Sequence, residues 1–389
     1  MKNRVLAGKN LQIIFGVTLF AVMGVSSITP AFPQIIKHYG LSVKQIGYLI
    51  TVFTLPGIVL SPFMGILADR YGRKPILLIS LFLFGTAGFL CAFQKDYNGL
   101  LVMRFIQGTG AAALGLLNVT LIGDIYEGKD RIKAMGYNAS VLSIGTASFP
   151  AVGGFLSSFE WHYAFFLPVL AIPYLLLIII RLDTPAIHNN VSLNNYLRNV
   201  AKTVNRRNVW GLFILNILVF IILYGALLSF FPILMEERFN ADSLIIGISM
   251  SMMSVTTAVS ASQLGKIRNK IRSQKLLYSS SMLYAVSLIL LSVAFNWPVL
   301  IGAIVIFGIG HGFLIPNIQT ILVSLAPLSE RAAFMSINSM VLRIGQTLGP
   351  LTVAFFYIDK NIQPVFWFTA FVALIMIVLI RTMVGDPDK

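Results

Sequence analysis

The chain has 389 residues, 57% of them hydrophobic and only 11% charged, with a formal net charge of +15. A water-facing protein of this size carries roughly a quarter of its residues as charges, so the composition excludes an ordinary soluble fold and makes lipid the solvent for most of the surface. The ~10-residue alternating segments of a membrane β-barrel are absent, and the apolar stretches match the ~20 residues a spanning helix needs.

Helix 1 is predicted at 11–36 and carries Phe20, Gly24, Ser27, Pro30, Pro33 and Gln34. It is too long for a signal-peptide core and runs into further spans, so it is expected to be retained. Between helix 2 (44–68) and helix 3 (75–93) the sequence reads Gly65-Ile66-Leu67-Ala68-Asp69-Arg70-Tyr71-Gly72-Arg73-Lys74. Gly65 permits close helix approach. Asp69 can pair with Arg73 or with the N-terminus of a neighbouring helix, and Gly72 permits a tight turn. Helix 3 holds Cys91, the single cysteine, so neither an internal disulfide nor a cysteine metal site can form.

Helix 4 (99–126) contains Arg104-Phe105-Ile106-Gln107-Gly108-Thr109-Gly110-Ala111-Ala112, then Asn118, with Asp124 at its inner end. Helix 5 (134–159) carries Gly145, Pro150, Gly153 and Gly154, and helix 6 (163–181) closes a first bundle, 1–181. A polar and then basic stretch, 182–208, reads as a cytoplasmic linker. The second bundle, 209–389, is predicted to span at 209–235, 243–264, 276–294, 298–326, 333–357 and 362–381. Tyr224 falls on helix 7, His311, Phe313 and Asn317 on helix 10, and Arg343 on helix 11. Proline and glycine inside spans are tolerated because neighbouring helices re-satisfy the backbone.

The charge is distributed by side. With the N-terminus placed in the cytoplasm, 22 Lys and Arg fall in cytoplasmic segments and 5 in outer ones, while Arg104 and Arg343 lie within helices. This positive-inside asymmetry predicts a multi-pass cell-membrane protein with both termini cytoplasmic and argues against nucleic acid as the partner of the positive charge.

A shift of about 200 residues superimposes the two halves. Gly108 and Gly110 fall on Gly308 and Gly310, Thr120 on Thr320, Asp130-Arg131 on Glu330-Arg331, Asn138 on Asn338, and Gly145 and Pro150 on Gly345 and Pro350. Matches at one offset mark a duplication. Six helices per half is an even number, so the repeat is parallel, about an axis along the membrane normal. The predicted fold is therefore an all-α membrane protein, twelve transmembrane helices in two pseudo-symmetric six-helix bundles. Transporters place substrate near the midplane between such halves.

The loop Gly65 to Lys74 resembles the signature loop of the major facilitator superfamily. Three further motifs are similar to its twelve-helix drug:proton antiporter branch: Gly24-x5-Pro30-x-x-Pro33, the helix 4 run from Arg104 to Ala112, and Gly145-x4-Pro150-x-x-Gly153-Gly154. Phe149 stands where the last motif has its second glycine, and the loop from Gly265 to Lys275 is basic but lacks the acid. The resemblance implies a charge network of Asp69, Arg70, Arg73 and Asp124 that latches one conformation, and a cavity lined by helices 1, 4, 7 and 10.

Charge inside a bilayer is costly, so each embedded ionisable group is a functional candidate. None of the 14 acidic residues falls mid-helix in the predicted spans. Arg343 is the candidate contact for an anionic or zwitterionic substrate, with helix capping as the structural alternative. His311, Asp124 and Arg104 are the candidates for proton coupling. Phe20, Ser27, Gln34, Gln107, Asn118, Tyr224, Phe313 and Asn317 complete the candidate cavity lining. The expected activity is proton-coupled export of small amphiphilic compounds by a monomer in the lipid bilayer, drawing on the proton gradient and no cofactor or metal. A dedicated exporter or flippase of an anionic metabolite or lipid is the alternative. A lipid enzyme lacks a visible nucleophile–base pair, and ATP drive lacks a P-loop.

Overall fold

The computed structural model describes residues 8–183, 206–325, 331–359 and 361–384; most of the predicted linker, 182–208, lies outside them. The long helices follow the predicted spans within a few residues. α1 is Lys9–Tyr39, α4 Tyr97–Ile125, α5 Gly128–Phe159, α6 Trp161–Arg181, α7 Arg207–Phe239, α8 Ser243–Ser262, α9 Ser273–Ser292, α10 Trp297–Leu325 and α12 Gln363–Val384. α2 is Tyr48–Tyr71, α3 Arg73–Leu90 and α11 Arg331–Ala354. Among the described residues eleven helices are long and apolar enough to cross a bilayer. The twelfth, α11, is diluted by Asn338, Arg343, Gln346 and Thr347, which it turns toward other helices.

Local chemistry sets the breaks. α1 loosens at Thr29–Ala31, where Pro30 removes a donor, and resumes with Pro33 in the first turn, where a missing N–H costs nothing. Gly72 at φ 92° turns the chain between α2 and α3, a conformation that a side chain resists. Asp96 and Asp242 cap α4 and α8 by accepting from Gly99 N and Ile245 N, each at 2.8 Å. Within α7, Ile222–Phe230 winds as a wider π-helix, and the Ser229 hydroxyl donates to the Tyr224 carbonyl at 2.8 Å.

The duplication is visible as repeated contacts. The bare face of Gly108 on α4 lies against the Phe53 carbonyl of α2, and that of Gly308 on α10 against the Met253 carbonyl of α8. Gly110 meets Ser80 and Leu83 of α3; Gly310 meets Ser280 and Leu283 of α9. Each half also buries a polar triad. In the first, Thr18 of α1 donates to Asn138 Oδ1 of α5 (2.6 Å) and accepts from Asn118 Nδ2 of α4 (3.0 Å). In the second, Asn216 of α7 donates to Asn338 of α11 (2.8 Å), whose amide donates to Gln319 of α10 (3.0 Å). Polar pairs of this kind hold helices together where lipid supplies no hydrophobic drive.

The halves meet along two seams, α2 with α11 and α5 with α8. Several cross-half hydrogen bonds lie in the part of the span away from Lys9 and Val384, here called the distal side. Thr51 donates to the Thr347 carbonyl (3.1 Å), Thr54 and Thr347 share a bond of 2.9 Å, and Ala151 N donates to Ser251 Oγ (3.0 Å). At the rim Lys37 pairs with Glu236 at 2.5 Å.

Candidate functional site

Arg343 stands midway along α11, one helical turn before the Thr347 bonds that close the α2/α11 seam. Its Nη1 donates to Gln346 Oε1 at 3.2 Å. It reaches across the seam onto the bare backbone of Gly57 in α2, where a Cβ would lie 3.0 Å from its Nε. Tyr224 of α7 lies within its electrostatic reach, and Phe220 packs beside Tyr224 with ring centroids 5.9 Å apart. A guanidinium thus meets the other half just beneath the distal closure, with an amide, a phenol and a phenyl ring from two helices of its own half gathered near it. Such a set can bind an amphiphile by pairing its charge and covering its apolar face.

Arg104 occupies a different environment. It is fully buried in the first bundle, with Nη1 donating to the Gly24 carbonyl (2.8 Å) and Gln107 Oε1 (2.6 Å), and Nε to the Leu49 carbonyl (3.2 Å). Its guanidinium also lies 4.2 Å from the centre of the Phe53 ring. These bonds tie α1, α2 and α4 together.

His311 lies between α10 and α9. Its Nδ1 shares a short hydrogen bond with the Tyr284 hydroxyl, and its ring stacks in a column with Phe307 (5.8 Å) and Tyr284 (6.1 Å). Asn317 donates to the Ser273 carbonyl of α9 at 3.0 Å. Asn118 belongs to the Thr18 triad, Ser27 donates to the Met23 carbonyl at 2.8 Å, and Gln34 and Phe313 are half-buried. Phe20 packs edge-on against Tyr174 (5.3 Å) and Phe84 (6.3 Å) and lines a cavity between α1, α5 and α6. The structure therefore places Arg343 at the seam with Tyr224 near it and distributes the other candidates through the two bundles.

In the proximal loop, Arg73 Nε pairs with Asp124 Oδ2 at 2.9 Å, joining the start of α3 to the end of α4. Arg70 is exposed, 5.5 Å from the Tyr71 ring centre, and the Asp69 side chain lies outside the described residues. Of the α5 motif, Gly145 packs on Leu19 and Val22 and Gly153 on the Ser27 carbonyl, all of α1, while Pro150 and Gly154 meet Gly247 of α8 across the seam.

Sequence reading did not single out the distal rim. Glu236 there pairs with Lys37, and Tyr357 donates to Glu237 Oε1 at 3.0 Å. Burial, with the adjacent carboxylate, pushes the Tyr357 phenol above its ordinary range. The acidic pair in Met235-Glu236-Glu237-Arg238 was visible, but its partners lie 199 and 120 residues away. Among the described residues no cluster of three or more metal-ligating side chains occurs.

A family model described as Major Facilitator Superfamily matches residues 14–327 and, overlapping, 239–389. The chain is 24% identical over 379 residues to the quinolone resistance protein NorA of Staphylococcus aureus, covering 96% of each chain. It is 25% identical to multidrug resistance protein 2 of Bacillus subtilis, covering 100% of this chain and 98% of that one. Its fold is similar to the crystal structure of a bacterial homolog of the human lysosomal transporter Spinster in an inward-facing and occupied conformation. The TM-score is 0.83 with 16% identity over 97% of both chains.

Proposed function

Because the chain belongs to the Major Facilitator Superfamily and is therefore a transporter rather than an enzyme, we propose that it exports small amphiphilic compounds from the cell in exchange for protons. The observation that carries this reading is the placement of Arg343, with Gln346 and Tyr224 beside it, against Gly57 of the other half, one helical turn from the cross-half bonds of Thr347 on the distal side. On this reading, with the distal side joined, the two halves would part toward the face bearing the basic loops and give access to these residues from there. Parting the distal seams while the proximal ends close would expose the same residues to the other side. That is alternating access about a fixed site. The resistance proteins among the relatives support an amphiphilic, foreign substrate and outward direction.

In the test, purified protein is reconstituted into liposomes, and flux of cationic, neutral and anionic amphiphilic dyes is followed with and without an imposed pH gradient. Export predicts gradient-dependent flux together with proton release or uptake on adding substrate. Flux indifferent to the gradient removes the proton from the account, and no flux of any dye removes broad export. His311→Ala should abolish gradient-driven flux if His311 carries the proton; Asp124 and Arg104 are the remaining candidates.

A second reading is a dedicated exporter or flippase of one anionic metabolite or lipid. It is favoured by the same site, because the charged side chain nearest the centre of the seam is a guanidinium. Transport confined to anionic compounds would select it over broad export.

A further inference from the structure

The cavity that Phe20 lines lies away from the seam. It occupies about 510 Å³ between α1, α5 and α6, and its walls are almost wholly apolar: Leu19, Phe20, Met23, Phe149, Leu170 and Leu177 among them. It opens sideways from the bundle, since Leu170 at its edge is 52% exposed. A smaller cavity of about 80 Å³ continues it toward the terminus-bearing face, bounded by Lys9, Gln12, Tyr174 and Arg181. Tyr174 forms the shared wall. Its ring lies over Gly16, whose missing side chain makes the room, and its hydroxyl donates to the Ile13 carbonyl at 2.9 Å. From Met23 to Lys9 the groove follows about 21 Å of α1 at 1.5 Å per residue, against about 15 Å for half a hydrocarbon core.

The mouth is basic. Lys9 and Arg181 are both exposed, and among the described residues neither pairs with a carboxylate. The carbonyl end of α6, which would repel an anion, is covered by Lys74, whose Nζ donates to the carbonyls of Ile179 and Leu182 at 2.9 Å each. Asp183 is the nearby acid, and its backbone is fastened to the Asn10 side chain.

We infer that this groove binds one anionic phospholipid of the leaflet on the terminus-bearing side, with an acyl chain along α1 and α6 and its phosphate between Lys9 and Arg181. An apolar trough one leaflet deep, ending in two unpaired cations at headgroup level, is complementary to that molecule at both ends. A zwitterionic lipid would set its own cation against Lys9 and Arg181. The site is separate from Arg343 and does not depend on the transport reading.

The test uses the full chain carrying Leu177→Trp, reconstituted in phosphatidylcholine vesicles that contain an equal share of either brominated phosphatidylglycerol or brominated phosphatidylcholine. Bromine quenches the groove tryptophan when a labelled chain occupies the trough. At about fivefold per basic residue near the surface, phosphatidylglycerol should be preferred about thirtyfold. Lys9→Gln with Arg181→Gln should erase that preference. Ile180→Trp, on the neighbouring lipid-facing side, should report none. Equal quenching by the two lipids at Leu177→Trp, or a preference that survives the double glutamine variant, overturns the assignment. If Leu177→Trp does not fold, Leu170→Trp reads the same trough from its other edge under the same criteria.

Discussion

At the distal seam between α5 and α8, backbone touches backbone, and Gly247 is the position at which one carbon atom should shift the balance between conformations. A Cβ there would lie 2.3 Å from the carbonyl oxygen of Pro150, 3.0 Å from its carbonyl carbon and 3.1 Å from Gly154 Cα. Comfortable carbon contacts fall at about 3.5–4.0 Å. All three obstructing atoms are main chain, so no rotamer change relieves the clash, and the helices must separate by roughly one ångström. Overpacking of this kind costs about 1–3 kcal/mol. The helix-propensity gain of Gly→Ala is common to both conformations and cancels between them. Gly247→Ala should therefore raise the distally open population relative to the closed one by roughly fivefold to 150-fold. Thr29 supplies the reporter, because it is fully buried against Met250 across the seam, with Oγ1 to Sδ 3.7 Å. In a Cys91→Ser background, Thr29→Cys should react with a membrane-impermeant maleimide from the distal side at a rate proportional to that population. Gly302→Ala, where a Cβ meets nothing within 4 Å, is the control. A labelling rate unchanged in Gly247→Ala, with the protein folded, would refute the reasoning.

Arg343→Ala should lower kcat/KM for anionic amphiphiles by about tenfold or more, and Arg343→Lys should recover only part of it because an ammonium lacks the planar fork; unchanged flux in liposomes would discard the site. Asp124→Asn keeps an acceptor 2.9 Å from Arg73 but removes the charge, so it should cost about 1 kcal/mol or more and slow turnover while substrate binding is retained; weakened binding at normal turnover would contradict the assignment. Asn138→Leu removes the acceptor of Thr18 in the first polar triad and Asn338→Leu the centre of the second, and each should destabilise by about 0.6–1.7 kcal/mol. Thermal unfolding in detergent reads this, and a large effect in one half alone would count against equivalent triads.

The architecture was legible because it rests on local and periodic signals: the length of each apolar run, the side on which the basic residues gather, and the glycines that recur at a spacing of 200. Gly108 and Gly308 shed their side chains for the same reason, a carbonyl of the adjacent helix at the same place in each half. The embedded cations were legible as residues but not as environments. Sequence reading assigned Arg343 to substrate contact and Arg104 to proton coupling without knowing what surrounds either. Packing gives the first to three helices of its own bundle and the second to the seam. The cavity lining inferred from helix membership was harder still. A helix has several faces, and Phe20, on a predicted cavity helix, turns toward α6 and the membrane side. Lys37 and Glu236 could not be matched from sequence, since nothing local relates residues 199 apart.

The wide winding of Ile222–Phe230 in α7 bears on how the two ends of that helix are related. Such a stretch accommodates one residue more than an ordinary helix of the same height, so it acts as a register converter within a continuous rod. Rewinding the stretch as an ordinary helix with every residue kept would turn the piece from Phe231 to Phe239 by about 100° relative to the part before the stretch and shift it by about 1.5 Å. Glu236 would then swing away from Lys37 while that earlier part stayed in place. A single-residue deletion inside the stretch would instead fix the ordinary winding with both ends in their present register, so that the rim could no longer turn against the midpoint.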